Sequence, residues 1–131
     1  MILYVDTSAA MKLVVDEAES AALAEHLERA IAGGDSLVSS LLLHTELRCA
    51  SNRRPENVPA EAVAEVLATV ALVDMERGDL AMAPLLPGRL RSADAVHLAT
   101  ALRVGADRLV TYDEELTAAA PLAGIPVLAP G

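Results

Sequence analysis

The sequence predicts an α/β domain in three layers, with a central parallel sheet of four to five strands flanked by helices. Three observations lead there. Short apolar runs alternate with segments of helical periodicity, the pattern of successive strand–helix–strand units. The run Ile2-Leu3-Tyr4-Val5 is apolar without alternation, as strands are when helices cover both faces of a sheet, and Leu109-Val110-Thr111 reads as another strand. An aspartate lies just beyond each run, Asp6 and Asp113, at the carboxyl end of a strand, where such sheets gather functional groups.

Taken in order, residues 1–5 read as a buried strand. Residues 8–15 and 18–32 read as helices, the second stopped by Gly33-Gly34. Leu37 to Ser39 is a brief second strand. Ser40 is placed to cap a helix over 41–53 that Pro55 ends. Pro59 suits the first turn of a helix running to Thr69. Val70 to Val73 is a weak strand candidate, and 75–86 is a short helix or irregular segment closed by Pro87-Gly88. The clearest helix covers 91–104, with Ala95, Leu98, Ala99 and Leu102 on one stripe and Gly105 as its stop. A strand over 108–111, a helix over 113–119 and a last strand over 125–128 complete the pattern. No repeat, linker or low-complexity tract interrupts it, so residues 1–131 are expected to form one domain.

Composition sets limits on function. The chain has 131 residues, 53% of them hydrophobic, enough to bury a substantial core. No apolar stretch approaches the ~20 residues of a membrane span. The first apolar run lacks a basic flank and stops at Asp6, so it is not expected to be a signal peptide. Cys49 stands alone, which excludes an internal disulfide and fits a cytoplasmic protein. A net charge of −9 argues against a broad basic face for nucleic acid. With no Trp, no Phe and only Tyr4 and Tyr112, base stacking is poorly provided for. A nucleic-acid substrate would rely on metal ions and a few local arginines, and the acidity favours a basic partner.

The candidate site is a set of carboxylates: Asp6, Glu46, Asp94 and Asp113. Gathered at one rim they would repel and raise one another's pKa unless a cation lies between them. Hard oxygen donors of this kind suit Mg²⁺ or Mn²⁺, so a metal-dependent enzyme acting on phosphate esters is expected. Each acid also has a bland explanation. Asp113 alone is better read as a helix N-cap, with Glu114 and Glu115 in the first turn. Asp94 lies in a first helical turn, with Arg91 three residues before it as a partner. Asp6 could open a turn, with Ser8 as the cap of the next helix. Glu46 is the hardest to dismiss, because Leu42, Leu43, Cys49 and Ala50 place it on an apolar stripe where a lone carboxylate is costly. Either an ion pair with an arginine or membership of a metal cluster would explain it, and Asp6 and Asp94 favour the cluster.

Ser8 and Thr111 flank the same rim, with local hydrogen bonding as their ordinary role. His97 shares a helix face with Asp94, but a single histidine among Val96, Leu98 and Ala99 is usually a satisfied core residue. Arg89 and Arg91 precede a helix start, where the dipole disfavours cations, which points to a use such as phosphate contact. Arg53 and Arg54 merely complement a helix end. There is no zinc spacing and no glycine-rich phosphate loop. A receiver domain would need a late lysine, and the only lysine is Lys12.

These residues resemble the PIN-domain family. Asp6-Thr7-Ser8-Ala9-Ala10 with Lys12-Leu13-Val14, and Val38-Ser39-Ser40 leading to Glu46-Leu47, are similar to its opening half. Ser92-Ala93-Asp94-Ala95-Val96-His97-Leu98-Ala99-Thr100-Ala101 resembles its signature helix. Asp107 to Asp113 and Gly124-Ile125-Pro126-Val127 resemble its closing strands, and the likeness covers essentially the whole chain. At this length the chain is most similar to VapC-type toxins of bacterial toxin–antitoxin pairs. The resemblance implies a Mg²⁺- or Mn²⁺-dependent endoribonuclease. Asp6, Glu46, Asp94 and Asp113 would hold the metal, with Ser8 and Thr111 in support. It also implies an RNA substrate, a small cognate antitoxin presenting an arginine and an apolar helix, and a homodimer, whose interface the Leu and Ala of residues 37–73 could serve as easily as the core. Residues 55–90 carry no family motif and are expected to determine substrate or partner choice. The rival readings are a silent binding module of the same fold and a nuclease acting on DNA.

Overall fold

The computed structural model describes residues 1–131. Strand β1 (Ile2–Val5) alternates Leu3 and Val5 on one face with Tyr4 on the other, and all three are buried. It therefore lies inside the sheet. Helices α1 (Thr7–Val14) and α2 (Ser20–Ala32) lead to β2 (Ser36–Ser40), which pairs parallel to β1 with Leu3 opposite Leu37. Helices α3 (Leu41–Arg53) and α4 (Ala60–Thr69) lead to β3 (Ala71–Val73), and α5 (Arg77–Met82) runs into a 3₁₀ turn at Ala83–Leu85. Helix α6 (Ser92–Arg103) returns the chain to β4 (Arg108–Val110), followed by α7 (Glu114–Leu122) and β5 (Val127–Leu128). The five strands are all parallel, in the order β3-β2-β1-β4-β5.

The two faces of β1 seed separate cores. Leu3 and Val5 pack with Leu23, Leu27, Leu43, Leu47 and Val63 from α2, α3 and α4. Tyr4 and Leu109 pack with Leu98 and Ala101 of α6 and with Leu116, Ala119 and Ala120 of α7. Helix α6 is buried without a break from Ala95 to Ala101. Its alanines let it sit close to the sheet, and this seats His97 deep in the protein.

Most expected boundaries hold to within a residue or two. Helix α2 starts at Ser20 rather than 18, because the Ser20 hydroxyl ties back to Val15 O. The segment over 75–86 resolves into α5 and its 3₁₀ turn. Helix α7 runs past 119 to Leu122 despite Pro121, its last turn closed by Ala123 N on Ala119 O and Ala120 O. The last strand shrinks to Val127–Leu128, because Ile125 turns into the core and its N–H bonds Ala120 O.

Candidate functional site

Two strand ends, after β1 and β4, and two helices, α3 and α6, bring the acids together at the carboxyl edge of the sheet. Asp6 follows β1 and is 1% exposed. It is itself the N-cap of α1, accepting from Ala9 N at 2.9 Å. Ser8, the cap in the bland reading of Asp6, lies instead inside the first turn, its hydroxyl 2.8 and 3.0 Å from the two Asp6 oxygens. Thr111, fully buried after β4, donates to Asp6 Oδ2. Ser8 Oγ also accepts from Tyr112 N at 2.9 Å, which ties α1 to the loop after β4. Burial raises the Asp6 pKa, and the bonds from Thr111, Ala9 and Ser8 only partly oppose it.

Asp113 caps α7 through Oδ2, which accepts from Leu116 N at 2.8 Å, the role expected of it in isolation. Asp94 is half-buried in the first turn of α6. Burial and then the charges of Asp113 and Asp6, with Glu46 adding, push its pKa up to about 6. Arg91 is not its partner: the ion pairs of the chain fall elsewhere and none reaches Asp94. Asp94 thus feels the charge of the other three acids, and no lysine or arginine pairs with any of the four.

Glu46 has a partner that the sequence reading did not assign. Its Oε1 lies 2.7 Å from His97 Nε2 and accepts from Thr7 Oγ1 at 2.7 Å. The companion is therefore neither an arginine nor, in this structure, a ready-made cluster. Burial works to raise the Glu46 pKa, but the bonds from His97 and Thr7 outweigh it and leave the pKa below the usual value. His97 is buried and satisfied, as a core histidine should be, with Nδ1 on the Tyr4 hydroxyl at 2.7 Å. Its shared face with Asp94 and the buried position of Glu46 were the available signals.

No three acidic, histidine or cysteine side chains converge tightly enough here to enclose one ion. The reason is local: Asp6, Glu46 and Asp113 are turned toward their own hydrogen-bond donors. The donor chemistry nevertheless fits a hard divalent cation. All four groups offer carboxylate oxygen, and the repulsion that Asp113, Asp6 and Glu46 exert on Asp94 is what a bound cation would offset.

A further buried acid lies in 55–90, the region without recognised motifs. Asp79 on α5 takes two bonds from Arg103 of α6, at 2.7 and 3.0 Å, and one from Thr100 at 3.1 Å. The guanidinium holds its carboxyl below the usual range. This cluster clasps α5 to α6.

A parallel sheet with a carboxylate rim at its carboxyl edge defines an α/β protein with an acidic site built on strand ends. The PIN domain model matches residues 3–121, and the chain belongs to the PIN-domain family. It is 40% identical over 131 residues to Ribonuclease VapC46 of Mycobacterium tuberculosis, covering 98% of this chain and 97% of that one. Among solved structures, a chain of VapBC2 from Rickettsia felis, bound to a DNA fragment from its promoter, superposes with a TM-score of 0.78 at 13% identity. The match covers 100% of both chains. A chain of a toxin-antitoxin complex from Klebsiella pneumoniae gives 0.65 at 20% identity, covering 100% of this chain and 98% of that one. At these identities the structural matches speak for the fold.

Proposed function

We propose that this chain is a Mg²⁺- or Mn²⁺-dependent endoribonuclease, the toxin of a toxin–antitoxin pair acting in the cytoplasm. The observation that carries the reading is the set of four carboxylates at the carboxyl edge of the sheet, with Asp94 half-buried and pushed up to about 6 by burial and the charges of Asp113, Asp6 and Glu46. The near full-length likeness to a protein named as a ribonuclease supports RNA as the substrate.

Asp6, Glu46, Asp94 and Asp113 would hold the ion. When bound, it supplies Lewis acidity, making water nucleophilic at neutral pH and offsetting charge that grows on phosphoryl oxygens. The residues of the chain do the rest. Ser8, Thr111 and the Ala9 amide fix Asp6, and Thr7 fixes Glu46 on one oxygen. Asp113 keeps its second oxygen clear of the cap it makes with Oδ2. Arg89 and Arg91, both exposed at the start of α6, are placed to contact RNA phosphates.

A basic antitoxin suits a chain of net charge −9. An apolar groove lined by Leu13, Ala24, Leu27, Ile31, Leu37 and Val66 suits its apolar helix. For a homodimer, Met75, Leu80, Met82 and Leu85 are exposed apolar side chains close in sequence, and Met1, Ile31, Leu41 and Leu122 are exposed elsewhere. Residues 37–73 instead supply much of the core.

The test is incubation of antitoxin-free protein with total cellular RNA and Mg²⁺ or Mn²⁺, followed by end mapping. Discrete cuts with 5′-phosphate ends, lost with a chelator and in Asp94→Asn, are expected. Cuts that persist in Asp94→Asn would refute the site.

A further inference from the structure

Five elements meet along one string of polar atoms that crosses an otherwise apolar interior. It begins at the Ser40 amide between β2 and α3, which donates to the Tyr4 hydroxyl of β1 at 3.1 Å. The hydroxyl lies 2.7 Å from His97 Nδ1 on α6. His97 Nε2 lies 2.7 Å from Glu46 Oε1 on α3, and Thr7 of α1 donates to the same oxygen. The Tyr4 and His97 rings meet edge to face, 5.8 Å between centroids and 70° between planes, so neither can swing without disturbing the other. The interior end is sealed, with Tyr4 fully buried and His97 1% exposed, while the Glu46 side chain at the outer end is 27% exposed.

We propose that Tyr4 and His97 form a rigid buried rail that sets the position of the Glu46 carboxylate, making both of them positioning residues of the acid site. The inference rests on the reading of Glu46 as part of that site. Three features argue for it over a purely structural role. A polar string through a core of leucine and alanine could be replaced by apolar side chains of similar volume with little loss of stability, so stability alone does not require it. The string ends at the rim, on one of the four acids, rather than closing on itself. And both of its donors converge on Oε1, which leaves Oε2 unclaimed.

The proton order follows from the acceptor at the rim. The Glu46 carboxylate can only accept, so His97 carries its proton on Nε2 and donates it there, and in the neutral ring the bare Nδ1 takes the Tyr4 hydroxyl proton. A carboxylate held in this way keeps one oxygen in a fixed direction, and loss of such outer support typically costs 10–100-fold in metal affinity.

The experiment combines the ¹⁵N spectrum of the His97 ring with Mn²⁺ calorimetry on the full chain. Wild type, Tyr4→Phe, His97→Gln and His97→Leu are compared, each with its melting midpoint in chelator to establish folding. The expected ring carries its proton on Nε2 and a bare Nδ1. His97→Leu should weaken Mn²⁺ binding about 10–100-fold. His97→Gln, which keeps an N–H within reach of Glu46, should recover most of that loss. Tyr4→Phe, the gentler change, should alter the ring's tautomer balance and weaken Mn²⁺ less than His97→Leu. A ring protonated on Nδ1, or a folded His97→Leu that binds Mn²⁺ like wild type, would overturn the rail. A wild type that binds no Mn²⁺ would sink the nuclease reading instead, and the ring spectrum would still decide the rail.

Discussion

Helix α6 carries a buried or half-buried charge problem at each end and solves only one. At its last turn Arg103 reaches Asp79, which is 2% exposed, and Thr100 and the Glu76 amide complete the acceptor's needs. At its first turn Asp94 faces Asp113, Asp6 and Glu46 with no arginine or lysine among them. Arg103 of α6 neutralises Asp79 of α5 and makes that pair a clasp, whereas Asp94 lies among like charges, the arrangement on which the proposed cation site rests.

That contrast can be broken from either end. The largest effect is expected at the open end. Asp94→Asn should slow RNA cleavage about a thousandfold, ~4 kcal/mol of barrier, while leaving the chelated protein as stable as wild type or more so, since it removes a repelled charge. At the closed end Asp79→Ala should cost about 2 kcal/mol of stability by removing the acceptor that Arg103, Thr100 and the Glu76 amide share, read as a lower denaturation midpoint. Cleavage by the folded fraction should persist. If Asp79→Ala abolished cleavage without unfolding the protein, the division between clasp and site would be wrong.

A smaller loss is expected between these ends, at the loop that leads into α6. Gly88 has φ +95°, and a Cβ there would lie 2.7 Å from Ala119 Cβ. Gly88→Ala should therefore cost about 2 kcal/mol from strain and overpacking together, measurable by chemical denaturation.

The pH dependence sharpens the comparison further. Asp94 rises from an ordinary 3.8 to about 6 in the folded chain. The folded state thus binds more protons than the unfolded one between about pH 4 and 6, and stability in chelator should fall as pH rises through that window. Asp79, held low by Arg103, has the opposite sign: its stabilisation is present above the ordinary aspartate range and is lost as pH falls below it. Melting curves from pH 4 to 7 with chelator and with Mn²⁺ should diverge above about pH 6, where the ion relieves Asp94. The least effect is expected on the surface. Breaking the exposed Arg29–Glu25 pair with Arg29→Ala should leave melting and cleavage unchanged within error.

Much of this was legible beforehand. The strand–helix alternation, the Ser40 cap and the span of α3 are local matters of periodicity, capping and proline, and they appear where expected. Asp113 as a cap was readable for the same reason. Asp6 was not, because Asp6 and Ser8 are both good capping residues and only the turn of the chain after β1 decides which oxygen meets the free amide. The Asp79–Arg103 clasp was invisible because its residues lie 24 apart and nothing local in either segment announces the other.

The sequence alone determined that there would be a parallel α/β sheet, that acids would stand after β1 and β4 and on two helices, and that few cations were available to answer them. These follow from short-range pattern and from composition. Which donor each acid would take was decided only in the tertiary structure. Hydrogen bonds act over about 3 Å, so whether Glu46 meets an arginine, a metal or His97 depends on how α3, α6 and β1 are set against one another. That setting comes from packing: small residues such as Ala95 and Ala99 let α6 lie close to its neighbours and bring His97 within 2.7 Å of both Tyr4 and Glu46.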